Sequence, residues 1–218
     1  NWQTQGQWIR WDFTVTTAGY YNIGMRVRQN YQRGYSSARR IYIDGAVPFT
    51  ALLQVEFPYR RGWYMRTLGD GENDYAFYFE AGQHSITMEV IPGDTATLSG
   101  TLQESVAALN KIYRSVIMLT GTSPDPYRDY YLGDEIPDLI EDMTAQRDIL
   151  QEQYNGLQNK YGGRDGDTAT LERLIVQLSA FIEDTDAIVE AIGSFSDNIS
   201  SLSSWVVRLK EQPLKMDH

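Results

Sequence analysis

The chain has 218 residues, no cysteine and only two histidines, His84 and His218; it is long enough for one enlarged domain or two smaller ones, and its composition excludes disulfide frameworks, cysteine nucleophiles, Cys-based zinc sites and multi-histidine metal clusters. A net charge of -10, from 19 basic and 29 acidic residues, argues against a phosphate-driven nucleic-acid binder and against adhesion to anionic lipid. No apolar run approaches the roughly 18 residues of a membrane span and no basic segment opens the chain, so neither a span nor a signal peptide is expected in this piece; a start at Asn1 rather than Met is what a segment of a longer chain would show.

The charge is unevenly placed. Residues 1–98 hold nine Arg, no Lys and nine acidic residues, whereas residues 99–218 hold ten basic and twenty acidic ones. Aromatics divide the other way, with four of five Trp, nine of fifteen Tyr and five of seven Phe before residue 99. Two architectures are therefore expected in sequence.

In the first, apolar residues alternate. Ile9, Trp11, Phe13 and Val15 oppose Trp8, Arg10, Asp12 and Thr14, the pattern of a half-buried strand. Tyr21, Ile23, Met25 and Val27 repeat it, as do Ile86, Met88 and Val90. Turn signals at Ala18-Gly19, Asp44-Gly45, Gly69-Asp70-Gly71 and Ala81-Gly82 separate short strands with no helical pattern between them, which predicts an antiparallel sandwich or jelly roll of five to seven strands. Its core is expected to take Ile9, Trp11, Phe13, Ile23, Met25, Val27, Ile86, Met88 and Val90.

After Pro92-Gly93-Asp94 the period changes. Thr101 and Glu104 are spaced as a capping box, followed by Val106, Leu109, Tyr113 and Val116 at helical spacing up to Gly121. A second helix is predicted from about Asp134, with Ile136, Ile140, Met143, Leu150, Leu157 and Tyr161 near a 3.5-residue repeat, stopped by Gly162-Gly163. A third runs from Asp167 or Thr168 through Leu171, Leu174, Leu178, Ile182 and Ile192 to Gly193, and a fourth from about Ser196 to Leu209. The two central helices should each extend about 40 Å. Pro213 stops the last helix, and Leu214, Lys215, Met216 and Asp217 then alternate as a strand does. The chain is thus expected to return to the sheet. That brings Thr95 and Gln212 together and makes the helices a protruding arm with Gly162 to Gly166 as its far tip.

The strand region resembles carbohydrate-binding modules of the galactose-binding-like jelly roll. The resemblance rests on Gly6-Gln7-Trp8-Ile9-Arg10-Trp11, Ala18-Gly19-Tyr20-Tyr21-Asn22-Ile23, Arg26-Val27-Arg28, Ile41-Tyr42-Ile43-Asp44-Gly45, Gly62-Trp63 and Glu80-Ala81-Gly82-Gln83-His84-Ser85-Ile86-Thr87-Met88. It covers roughly residues 6–92 and implies a closing strand, which Gln212 to His218 resembles. The chain also resembles a sandwich-plus-helices segment of large surface proteins that accompany sugar-import systems in Gram-positive bacteria. The family's calcium-binding strands precede the point where this chain begins, so a structural calcium ion is possible for the family but unsupported here. The family's ligand-binding Asn has no evident match.

Sugars are bound by aromatic faces and by directional hydrogen bonds from Arg, Asn and Asp, because a pyranose offers an apolar C–H face and a rim of hydroxyls. The loops at residues 30–35 and 58–64 combine these residue types. Tyr31, Tyr35, Arg61 and Trp63 are the candidate carbohydrate-binding residues, with plugging of the sandwich end as the bland alternative for Trp63. Arg39-Arg40 and Arg60-Arg61 are better read as salt-bridging than as readers of acidic sugars. Asp70, Glu72 and Asp74 alternate as in oxygen-rich calcium loops but lack the rest of that pattern, and Asp165-Gly166-Asp167 fits a turn and helix cap. Glu141-Asp142 and Glu183-Asp184 are adjacent on helices and suit solvated surface rather than paired glycosidase carboxylates. His84 has no neighbouring nucleophile and is expected to be structural.

The sequence therefore predicts an α+β chain: an antiparallel β-sandwich (jelly roll, galactose-binding-like) over residues 1–98, completed by 212–218, with a four-helix bundle or long helical hairpin over 99–211 inserted before the last strand. The expected function is a non-catalytic carbohydrate-binding module of an extracellular or cell-surface bacterial protein, with carbohydrate and neighbouring domains of the same larger chain as partners, no catalytic residue, no metal and no cofactor. The competing expectation is a scaffold or protein-interaction segment without sugar binding, its acidic helices serving as spacer or docking arm.

Overall fold

The computed structural model describes residues 2–31, 33–93, 95–161 and 166–217, the side chains of 160, 161, 166 and 167 excepted. It divides into two compact units, Asn1–Ala96 with Leu209–His218, and Thr97–Arg208.

The first unit is an antiparallel β-sandwich. Its nine strands among the described residues are β1 (Trp8–Val15), β2 (Gly19–Asn22), β3 (Gly24–Arg28), β4 (Ser36–Ile43), β5 (Val55–Pro58), β6 (Tyr64–Thr67), β7 (Ala76–Phe79), β8 (Gly82–Ile91) and β9 (Lys215–Met216), more than the five to seven expected, because short pieces such as β2 and β6 show little alternation of their own. One layer is the sheet β1-β8-β4-β5; the other comprises β2-β7 and β6-β3-β9. Val15, Met25, Val27, Ile41, Leu52, Phe57, Phe77, Phe79, Met88 and Leu214 form the core, with Trp11, Phe13, Ile23 and Ile86 half-buried against it. The alternation thus put the inward face correctly, although Ile9, Trp11, Phe13, Ile23 and Ile86 are only half-buried. Asp44 (φ 49) and Gly45 (φ 82) turn the chain after β4 in the left-handed region, the backbone that Asp-Gly adopts at least cost.

The helical unit is inserted before the last strand. Four long helices, α1 (Thr95–Thr120), α3 (Leu139–Tyr161), α4 (Gly166–Glu183) and α5 (Ala187–Lys210), accompany the short α2 (Leu132–Glu135). Each buries one stripe: Leu102, Leu109, Ile112 and Val116 from α1; Leu139, Met143, Leu150 and Leu157 from α3; Leu171, Leu174, Leu178 and Phe181 from α4; Ile188, Ile192, Phe195, Ile199, Leu202 and Trp205 from α5, the spacing an apolar face requires. Phe195 meets Phe181 edge-on at 5.4 Å.

Two boundaries and one seam position differ from expectation. α1 begins at Thr95, so Thr101 lies inside it and caps nothing. The seam of α3 takes Leu139 rather than Ile140, which is 46% exposed. The third helix ends at Glu183, not Gly193: Asp184 Oδ1 takes the Asp186 N–H at 3.1 Å, a side chain competing with the helix for a backbone group, while Thr185 Oγ1 accepts from Gly133 N at 3.1 Å and the Asp186 carboxylate accepts from the N–H groups of Tyr130, Tyr131 and Leu132 at 2.8 to 3.0 Å. Burial alone would raise Asp186, but those three amides outweigh it and hold the carboxyl below its ordinary value. With 23 and 18 residues, α3 and α4 are about 35 and 27 Å long, shorter than expected. The expected tip at Gly162 to Gly166 and the cap at Asp165-Gly166-Asp167 lie largely outside the described residues.

The two ends of the insertion meet. Thr95 Oγ1 lies 3.0 Å from both Pro92 O and Leu209 O. Gln212, fully buried, bonds Gln3 O through its backbone N–H and Ala38 N through Oε1 at 2.9 Å. Ser37 Oγ donates to Pro213 O at 2.6 Å. Buried Arg39 donates to Trp2 O and Gln212 O with its guanidinium 4.1 Å from the Trp2 ring; burial pulls its pKa down to about 9, so it stays charged at neutral pH. This buried role replaces the surface salt bridge expected of it.

Candidate functional site

β3 alternates exposed and buried positions. Met25 and Val27 face the core, which sends Arg26 and Arg28 outward. β3 pairs with β6 on one side, Arg26 opposite Met65 and Val27 opposite Tyr64, and with β9 on the other, Val27 opposite Met216 and Arg28 opposite Lys215. Leu214 is buried, so Lys215 emerges on the same outer face. The return strand therefore completes a surface whose other residues lie far earlier in the chain; its Arg26–Asp217 pair spans 191 positions.

Trp63 immediately precedes β6 and is 36% exposed. The Arg28 and Arg26 guanidinium carbons lie 4.9 and 5.6 Å from its ring centroid, and Arg26 is also paired with Asp217. Tyr31, 58% exposed, has Lys215 Nζ 5.2 Å from its ring centroid. Trp63, Arg28, Lys215 and Tyr31 thus make a row in which two rings flank two cations that the strand register places side by side. Contacts of this kind contribute about 0.5–1 kcal/mol each where exposed, enough to bias ring and cation orientation. Arg61 is exposed on the loop between β5 and β6. Its neighbour Arg60 lies 4.7 Å over Tyr64, and burial raises the Tyr64 hydroxyl above its ordinary value.

Tyr35 does not belong to this surface. It is only 8% exposed, which corrects its expected surface role. Gly34 turns at φ 82, and buried Gln29 closes the loop, donating from Nε2 to Tyr35 O at 2.8 Å and accepting from Tyr31 N at 3.0 Å. The loop thereby folds one tyrosine in and leaves the other out. Arg26, Arg28, Lys215 and Asp217 were not singled out from the sequence. Their outward positions follow from the alternation, but the register that brings them to Trp63 does not.

Two other candidates have structural explanations. His84 Nδ1 lies 2.7 Å from Asp44 Oδ2 and Nε2 2.9 Å from Glu80 O; the Asp44 hydrogen bond, then the Glu80 carbonyl, raise its pKa. Asp70 Oδ1 accepts from Glu72 N and Asn73 N, closing a turn. Among the described residues no group of three or more acidic, His or Cys side chains is placed to hold a metal ion, and no helix is long and apolar enough to cross a membrane.

Residues 97–211 match the family described as bacterial solute-binding protein, 4-helix bundle domain. The chain belongs to this family. No curated protein matches it in sequence. Among solved structures, it is similar to a Paenibacillus sp. cycloisomaltooligosaccharide glucanotransferase complexed with cycloisomaltoheptaose, at 22% identity and a TM-score of 0.34, over 42% of this chain and 12% of that one. It is also similar to a family 35 carbohydrate binding module from Clostridium thermocellum, at 15% identity and a TM-score of 0.33, over 40% of this chain and 61% of the module. A third, a family 35 module from an environmental isolate, matches at 15% identity and a TM-score of 0.30, over 40% and 56%. The chain spans less than two thirds of each.

Proposed function

We propose that this chain is a non-catalytic carbohydrate-binding segment of an extracytoplasmic bacterial protein, and that it binds glycan on the outer face of β6-β3-β9. The observation that carries this reading is the row Trp63, Arg28, Lys215 and Tyr31, in which two partly exposed rings flank a forked and a flexible donor. Rings match the C–H face of a sugar, and guanidinium and ammonium groups donate to its hydroxyls or carboxylate. Arg26, Arg28 and Lys215 outnumber Asp217, so the surface is cationic and favours sugars bearing a carboxylate. Membership in a solute-binding protein family agrees with an extracytoplasmic role. Glycan-array screening followed by calorimetry tests the reading. The expected result is binding of a carboxylate-bearing glycan that Trp63→Ala abolishes; a folded Trp63→Ala variant that binds that glycan equally well overturns the site.

One observation favours a second reading, protein docking through the helices. Met118 and Leu119, adjacent near the end of α1, are 85% and 49% exposed, and Tyr127 in the following loop is 96% exposed. Uniformly negative glycan screening of a folded sample would select this reading.

A further inference from the structure

The opposite sheet carries a second aromatic and polar surface. Across β1, β8 and β4 the register places Trp8, Glu89 and Arg40 in one row and Arg10, Thr87 and Tyr42 in the next. Trp8, Arg10, Tyr42, Gly45, Thr87 and Glu89 line a groove of about 320 Å³, within the size range of small-ligand sites. Trp8 is 63% exposed at its edge. Packing gives no reason for this, since a tryptophan on a solvated strand face forgoes the burial its large ring would favour.

The polar groups around the ring are already fixed. Tyr42 donates from its hydroxyl to Glu89 Oε2 at 2.7 Å, Arg40 Nη1 lies 3.5 Å from the same oxygen, and Arg10 is paired with Asp12 at 2.8 Å. Groups held in place before a ligand arrives lose little further freedom on binding. Their charges also cancel, Arg10 and Arg40 against Asp12 and Glu89. That balance disfavours a phosphate, a carboxylate or a cation as ligand. It leaves a molecule that is uncharged, has one apolar face for the Trp8 ring, and carries a rim of groups that both donate and accept.

We propose that this groove is a carbohydrate site for the pyranose ring of a neutral glycan, separate from the cationic surface around Trp63. Trp8 stacks on the sugar's C–H face; Glu89 and Thr87 accept from its hydroxyls, and Arg10 and Tyr42 complete the rim. The inference stands on residues of β1, β4 and β8 and does not depend on the Trp63 reading.

The test titrates the 218-residue chain with maltohexaose, isomaltohexaose, cellohexaose, mannohexaose and xylohexaose, by calorimetry and by NMR of the tryptophan indole N–H signals. At least one should shift the Trp8 signal, with affinity falling about tenfold or more in Trp8→Ala and staying within about twofold in Trp63→Ala. Because Trp8 is largely exposed, its removal should leave the fold intact, which circular dichroism checks. Glu89→Gln, which keeps the ring and the shape, should also weaken binding. The proposal is overturned if none of the five sugars shifts the Trp8 signal at about 10 mM, or if the sugar that binds does so equally well to Trp8→Ala. It is also overturned if binding is lost in Trp63→Ala and kept in Trp8→Ala, an outcome that leaves the Trp63 site standing.

Discussion

Gln212 donates from its side-chain amide to Thr95 Oγ1 at 3.0 Å across a sequence separation of 117 residues. This bond joins the two points at which the helical insertion leaves and re-enters the sandwich. The other end of the same side chain accepts from Ala38 N on β4, so one residue joins the two chain crossings to a strand of the sandwich.

Gln212→Leu keeps the volume and removes both hydrogen bonds, leaving the buried Ala38 N–H without its partner. An unsatisfied buried donor costs about 1–3 kcal/mol, and the variant should lose about 2–4 kcal/mol in all. Urea denaturation of the two proteins measures this; a loss below about 0.5 kcal/mol would show that the bond contributes little.

The Asp44–His84 pair sets a pH dependence with a definite sign. His84 is raised above 6.5 in the folded chain, so its contribution is complete below that value and is lost as pH rises through the raised pKa. Burial acts to raise Asp44, but the His84 and Ser85 hydrogen bonds prevail and place it below 3.8; its contribution is complete above 3.8 and is lost as pH falls through the lowered pKa. The melting temperature should therefore decline as pH is raised above 6.5, and His84→Gln should flatten that limb. An unchanged slope in the variant would assign the decline to other groups.

Gly193 lies exposed within α5, where a Cβ would meet nothing within 4 Å. Gly193→Ala should stabilise the chain by about 0.5–1 kcal/mol, because alanine loses less backbone entropy in a helix. Thermal denaturation reads the gain, and a lower melting temperature would contradict the position of Gly193 inside a helix.

Tyr31 and Tyr35 should separate binding from stability. Tyr35→Ala empties a buried site and should cost about 3–5 kcal/mol. Tyr31→Ala should change stability by less than about 0.5 kcal/mol while weakening binding of carboxylated glycans. That binding should also weaken as salt is raised, since Arg26 and Lys215 beside Trp63 and Tyr31 are exposed and therefore screened. Equal effects of the two substitutions on stability would refute the assignment of one tyrosine to the core and one to the surface.

The sequence alone determined what depends on local periodicity. Alternation of Met25 and Val27 against Arg26 and Arg28 is enough to fix a strand with two unlike faces, and the leucines of α3 and α4 are enough to fix amphipathic helices, because side-chain direction repeats with the backbone. The insertion was legible for the same reason: Pro213 ends a helical pattern and Leu214 to Asp217 begin an alternating one. What only the tertiary structure decided depends on partners far apart in the chain. Strand register brings Lys215 to Arg28, and Arg28 to Trp63, and no local pattern encodes register between strands so distant in sequence. Gln29 closes the loop that buries Tyr35, and Asp186 captures the amides of residues 130–132 where α2 starts. For the two tyrosines the buried hydrogen bonds of Gln29, rather than residue type, chose which side chain faces water.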